Sequence, residues 1–418
     1  MRLSQRRYTK LALYALLPAA LLGLAGCGGS SSSSGSNISG PVSNTQPIEV
    51  NLGPANNYPN GLFTSVTICV PGTSNCQTIP DVLVDTGSEG LRLLSSQVTL
   101  SLPAVTDSSG SNGLQECVQF GDGSYVWGPV VGGDIQMAGE KASSVPLQLI
   151  DSSNPTQFPV PSQCTSGGGS DDNTVALLGA NGILGIGNFQ QDCGATCTTS
   201  TSPNMYYLCS SSASVCSGAT VPLSYQLQNP VWTFPADNNG VLISLPSIPA
   251  DGAPTASGSL IFGIGTQSDN ALGSAQVYTT DTSGNFHTIY NNIDYSSSFI
   301  DSGSNAIYFL DSATAGIPDC PNNSGWYCPG STTSFTVTNT GLNGTSNPLT
   351  FAIANADTLF SANGGLNSAF NDLGGDSGTS TSTDYFDFGV PFFYGRNVFV
   401  GIENMSGPNG VVGPYWAY

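Results

Sequence analysis

The feature that most constrains this chain is a strand-and-turn unit written twice. Val82-Leu83-Val84 runs into Asp85-Thr86-Gly87-Ser88, and Ser298-Phe299-Ile300 runs into Asp301-Ser302-Gly303-Ser304. Each copy is followed by two large apolar residues and a glycine, Ile183-Leu184-Gly185 in the first half and Phe393-Tyr394-Gly395 in the second. The interval is 98 residues from Gly87 to Gly185 and 92 from Gly303 to Gly395. One Asp-Thr-Gly is common by chance. Two, each with a downstream partner at nearly matched spacing, predict an internal duplication.

What lies between the landmarks predicts β structure. The 418 residues include 52 Gly and 27 Pro, too many helix breakers for a bundle. Short runs rich in Val, Ile, Thr and Phe alternate with turn residues, as in Gly258-Ser259-Leu260-Ile261-Phe262-Gly263. Val118-Gln119-Phe120 meets Gly121-Asp122-Gly123-Ser124 before Tyr125, which predicts a hairpin with glycine at its strained positions. Helical periodicity is brief, as in Ala354 to Leu366. An all-β chain of two lobes follows, at 48–230 and 231–418, and the chain is expected to be a monomer.

The first residues predict export. Basic residues precede the apolar run Leu11 to Leu24, which ends in Leu24-Ala25-Gly26-Cys27. That ending resembles a bacterial lipobox, which implies a signal peptide at 1–26 and a diacylglycerol on Cys27. Gly28 after the cysteine implies sorting to the outer membrane. The run Gly28 to Gly40 is nearly all Gly and Ser, so 27–47 is expected to be a tether. The other ten cysteines can form five disulfides in an oxidising compartment. Cys69/Cys76 and Cys320/Cys328 predict local staples. The pairing among Cys193, Cys197, Cys209 and Cys216 stays open, and irregular spacing without a nearby histidine argues against zinc there.

A carboxylate at a strand tip, followed by a small hydroxyl residue and glycine, suits a tight turn facing a symmetric copy. Thr86 and Ser302 can lock the two turns together, and Ser88 and Ser304 can reach the carboxylates. Two carboxyls within hydrogen-bonding distance share one proton. The ionised member can then activate a water while the protonated one polarises a carbonyl, which is amide hydrolysis without a covalent intermediate.

Over most of residues 48 to 418 the chain resembles the pepsin-like aspartic peptidases. The resemblance rests on Asp85-Thr86-Gly87-Ser88 with Leu91, on Asp301-Ser302-Gly303-Ser304, and on Asn181-Gly182-Ile183-Leu184-Gly185-Ile186-Gly187. It implies a bilobal fold, Asp85 and Asp301 as the catalytic pair, no cofactor or metal, and a peptide or protein substrate lying extended across the cleft. It also implies that Phe120, Gly121, Gly123, Ser124 and Tyr125 form a flap over that substrate. Pro414-Tyr415-Trp416-Ala417-Tyr418 and Phe393 to Phe399 resemble an uncharacterised branch of bacterial lipoproteins. Two positions depart from the family: Phe120 stands where it presents tyrosine, and Arg92 where it presents tryptophan. The alternative reading is an inactive scaffold of this kind that binds without cutting.

Charge narrows the remaining options. Beyond Lys10 only Arg92, Lys141 and Arg396 face 27 acids, which excludes a nucleic-acid partner. Unpaired carboxylates predict greatest stability in acid. The lack of Lys or Arg between Lys10 and Asp85 predicts no electrostatically locked zymogen. Gly375-Asp376-Ser377-Gly378 has only His287 as a possible base and is read as loop. Asp171-Asp172-Asn173 could hold calcium and is read as a solvated loop. His287 is expected at the surface.

Overall fold

The computed structural model describes residues 43–151, 158–210, 214–377 and 385–418. The expected leader, Cys27 and most of the 27–47 segment lie outside these residues. The first half forms β1 (Thr45–Asn51), β2 (Gly61–Cys69), β3 (Cys76–Asp85), β4 (Glu89–Leu94), β5 (Asn112–Gln119), β6 (Tyr125–Met137), β7 (Glu140–Ile150) and β8 (Gly182–Ile186). β1 begins inside the segment read as tether, because Thr45 to Val50 pair with strand Ala256–Phe262 and bury Ile48 and Val50. The longest α-helix among the described residues, Ala356–Ser361, has six residues. No helix among them is long and apolar enough to cross a membrane. The chain is all-β, in sheets of fifteen and seven strands.

The duplication is visible as pairing. In the first half β3 pairs in parallel with β8, β8 runs antiparallel to β4, and β4 is parallel to β7. In the second half strand Ile293–Ile300 pairs in parallel with Asp387–Phe388, which runs antiparallel to Ile307–Phe309, itself parallel to Gly374–Asp376. Val82, Leu83 and Val84 are all buried, as are Ser298, Phe299 and Ile300. Strands covered on both faces read as continuous apolar runs rather than alternation.

This register corrects one sequence expectation. Asp85 lies opposite Gly185, and Ile300 opposite Phe388, so Asp301 meets Gly389. The second-half counterpart of Ile183-Leu184-Gly185 is therefore Asp387-Phe388-Gly389, and not Phe393-Tyr394-Gly395. Phe393 instead ends a 3₁₀ turn, and Gly395 sits at φ +72°. The apolar-pair rule missed the true copy because an acid occupies the place of the first apolar residue.

Side chains from both halves share one core, with Val84, Leu91 and Leu184 beside Ile300, Phe309 and Phe388. Phe309 lies 5.0 Å from Phe335 and 5.3 Å from both Phe351 and Phe386, ring centre to ring centre. Asn60 is a polar tie across the halves. Its amide donates to Asn305 O at 3.0 Å and Phe370 O at 2.9 Å, and its oxygen accepts the Phe370 N–H and the Tyr394 hydroxyl. The ten cysteines pair as Cys69–Cys76, Cys117–Cys164, Cys193–Cys197, Cys209–Cys216 and Cys320–Cys328. Structural disulfides of this density belong to an oxidising compartment.

Gly389 has no room for a side chain: a Cβ there would overlap the carbonyls of Ala306 and Ser304. Exposed Gly330 has nothing near its missing Cβ. Gly389→Ala is expected to cost at least about 2 kcal/mol by the overpacking rule. Gly330→Ala should stay within about 0.5 kcal/mol, as exposed substitutions do. Guanidinium unfolding of the two variants checks the difference, and equal costs would refute the assignment of Gly389.

Candidate active site

Each acidic turn is built by its own short-range bonds. Asp85 Oδ1 accepts the Gly87 N–H at 2.8 Å, and Oδ2 accepts the Ser88 hydroxyl. Asp301 Oδ1 accepts the Gly303 N–H at 2.7 Å, and Oδ2 lies 3.1 Å from the Ser304 hydroxyl. The hydroxyls between then cross over. Ser302 N–H donates to Thr86 Oγ1 at 2.9 Å and Thr86 N–H to Ser302 Oγ at 3.2 Å. Ser302 Oγ donates onward to Val84 O at 2.8 Å, and Thr86 Oγ1 to Ile300 O at 3.5 Å. The lock therefore reaches into the strand that carries the opposite aspartate. A Cβ on Gly87 would stand 2.5 Å from Asp301 Oδ2, so glycine is what lets the turns close.

The two carboxyls are both fully buried, and each perturbs the titration of the other. Burial raises both pKa values above the ordinary carboxyl range, Asp301 well above it. Asp301 is the more perturbed because Asp85 and Asp387 both face it. Asp387 is a residue that the sequence alone did not single out. Its Oδ2 lies 2.6 Å from Ser304 Oγ, so the single Ser304 proton can serve Asp387 or Asp301 but not both. The mirror position in the first half is Ile183, which has no polar atom to offer. Tyr58, also missed, donates its hydroxyl to Gly303 O at 2.7 Å and braces the second turn from the first half. No motif marks either residue, because each acts through a contact distant in sequence.

The hairpin expected over the site forms with Gln119 opposite Tyr125. Its turn closes through Phe120 N–H to Ser124 O at 2.8 Å and Gly123 N–H to Phe120 O at 3.0 Å, with Gly123 at φ +85°. That register keeps Tyr125 from taking the place of Phe120. Phe120 is buried among Tyr58, Leu83, Val118 and Ile183, while Tyr125 packs against the Trp127, Phe158 and Cys164 cluster. The hairpin is also clamped. Cys117 bonds to Cys164, Gly169 N–H donates to Gly123 O at 3.0 Å, and Tyr125 N–H donates to Ser170 O at 3.0 Å. The Asp171-Asp172-Asn173 loop belongs to this clamp, through Asp172 N–H to Tyr125 O, and so is packed rather than solvated. His287 is partly exposed and sits 2.9 Å from the Asp294 carboxyl.

Arg92 explains itself once its neighbours are known. Fully buried, it donates to Glu116 Oε1 at 2.7 Å, Asp192 Oδ2 at 3.0 Å and Glu89 O at 2.7 Å. Tyr206 donates to the other Asp192 oxygen at 2.8 Å. The guanidinium thus ties the hairpin strand β5 to the segment after β8 and to the end of the first acidic turn. A cavity of about 860 Å³ lies alongside, lined by Thr86, Gly87 and Glu89 on one side and Phe299 and Ile300 on the other.

Two stability predictions follow from this electrostatics. Arg92→Leu leaves Glu116 and Asp192 buried without their cation, which is expected to cost about 3–5 kcal/mol at neutral pH in denaturant unfolding. The second concerns pH, and here the cause differs from the mutual repulsion expected from composition. Burial is the first cause, lifting Glu89 to about 8 and Asp171 and Asp372 to about 6. In the unfolded chain these groups titrate near 4. The folded protein therefore keeps protons that the unfolded chain has lost, and stability falls as pH rises from about 4 through 8. Asp107, held at about 2 by its hydrogen bonds to Asn112 and Ser109, works in the opposite sense, but only below about 4. Calorimetry should give a higher melting temperature at pH 5 than at pH 8; the reverse order would overturn the account.

Comparison with solved structures finds an aspartic proteinase from Irpex lacteus, with a TM-score of 0.52 and 16% sequence identity. The match covers 89% of this chain and 96% of that one. At that identity the likeness carries the pepsin-like fold and no activity. No curated protein sequence matches. A family model described as "Protein of unknown function (DUF3443)" matches residues 40–418. By that match, which spans most of the chain, the protein belongs to the DUF3443 family.

Proposed function

We propose that the protein is an aspartic endopeptidase of the cell envelope. The observation that carries this reading is the buried pair Asp85 and Asp301 at the ends of two interlocked turns, with Asp301 packed against Gly87 of the other turn. The two carboxyls share one proton: the protonated member polarises the peptide carbonyl, and the ionised member is the base that takes a proton from water. The water oxygen bonds to the carbonyl carbon, the C–N bond breaks, and the leaving nitrogen takes up a proton. Thr86, Gly87, Ser88, Ser302, Gly303 and Ser304 hold the pair in position. The substrate is a peptide or protein segment in extended form, with alternate side chains in pockets. The same reading places the protein on the outer membrane through a lipid on Cys27, after loss of residues 1–26.

A second reading is supported by the clamped hairpin. Phe120 carries no hydroxyl, and Cys117–Cys164 ties the hairpin strand to a neighbouring loop. A scaffold with a fixed lid suits a module that binds peptides without cutting them.

One experiment separates the two. Wild type is incubated with an unfolded protein at pH 3 to 7, beside Asp85→Asn and Asp301→Asn. A peptidase loses at least about a hundredfold in cleavage rate in each variant, the least that removal of an acid–base group does. Absence of cleavage by folded wild type, with extended peptides still bound, would replace the peptidase by the binding module.

A further inference from the structure

The cavity beside the acidic turns has a biased wall. Glu89, Asp192, Asp281 and Glu403 line it, and neither lysine nor arginine does among the described residues. Two of these four acids are committed elsewhere. Asp192 takes Arg92 and the Tyr206 hydroxyl. Asp281 closes its own turn, accepting the Ser283 and Asn285 N–H groups at 2.8 Å and the Asn285 amide at 3.0 Å.

Glu89 and Glu403 are different. They come from opposite halves, yet consecutive amides hold them: Phe189 N–H donates to Glu89 Oε1 at 3.3 Å and Gln190 N–H to Glu403 Oε1 at 3.1 Å. The second oxygen of each has no partner among the described residues. Glu89 is only 9% exposed and lines the cavity. A buried carboxyl is costly to ionise unless a donor or a cation reaches it. Burial is the first cause that lifts Glu89 to about 8, and an arriving cation would favour its charged form. Phe189 and Phe299 also line the cavity and suit an aliphatic stem. A hard divalent ion, which takes six or more oxygens, is not matched by two carboxyls. Among the described residues, the group of acids and thiols placed closely enough for a metal lies elsewhere, at Cys320, Cys328 and Asp357, and both of its sulfurs are in a disulfide.

We propose that Glu89 and Glu403 form a cation-selecting subsite that receives the lysine or arginine side chain of a peptide lying along the cavity. The substrate class of the peptidase reading, on which this rests, is then a basic peptide cut at a fixed distance from that side chain. Binding alone would obey the same selection.

The test uses the folded protein and paired peptides that differ only in lysine or norleucine at one position, scanned along the sequence. Binding is read by fluorescence anisotropy on Asp85→Asn at pH 6, and cleavage by mass spectrometry on wild type. One lysine position is expected to bind at least about tenfold more tightly than norleucine, the scale of a partly desolvated ion pair. Glu89→Gln with Glu403→Gln should reduce that ratio to about one, with the single variants intermediate, on circular dichroism evidence that each is folded. Lysine selection that depends on the two glutamates, without any cleavage, sustains the subsite and removes the peptidase reading. Cleavage without lysine preference removes the subsite and leaves the peptidase. Calcium chloride that raises the melting temperature through the same two residues, with no lysine preference, would overturn the proposal in favour of a metal.

Discussion

The rest of the molecule depends on keeping two carboxyl groups side by side away from water. Such a pair is unfavourable by itself, since burial penalises charge and like charges repel. The structure offsets this with short donors from each turn and with a crossed pair of hydroxyl contacts between turns. Those contacts span the two halves, so neither turn is complete without the other. Shared core packing around Val84, Leu184, Ile300 and Phe388 then fixes the separation of the strands that end in the acids.

The near-symmetry is broken in what surrounds each turn. Both turns have the same hydroxyl pattern, but only the second backs its serine with another acid, Asp387. Only the first runs on into Glu89, which lines the cavity, and Arg92, which bonds back to the Glu89 carbonyl. Two like turns thus have unlike surroundings: Asp301 faces both Asp85 and Asp387, while Ile183 stands in the place matching Asp387 beside Asp85.

Scarcity of cations gives each lysine and arginine among the described residues a structural task. Arg92 neutralises acids inside the first half, and Lys141 meets Asp134 at 2.7 Å. Arg396 donates to Phe392 O at 2.6 Å with its guanidinium 4.8 Å from the Phe392 ring centre. With few cations to spare, most buried acids are held by backbone N–H groups and hydroxyls instead. This is why burial, more than repulsion between surface charges, governs their titration.

Local chemistry was legible in the sequence. An apolar run, an acid, a hydroxyl residue and a glycine specify a strand end and its turn within a few residues, so Asp85 and Asp301 could be named with their supporting serines. Strand content and five disulfides followed from composition and cysteine number. What depended on register was not legible. Asp387 was passed over because its partners are set by a strand pairing across 88 residues, and Phe393-Tyr394-Gly395 imitated the expected pattern nearby. Whether Tyr125 or Phe120 occupied the hairpin tip turned on a single-residue offset that only the ladder decides. Tyr58, Asn60 and the Glu89–Glu403 pair belong to the same class: their meaning lies in distances between the halves, and linear order carries no record of those until the chain is folded.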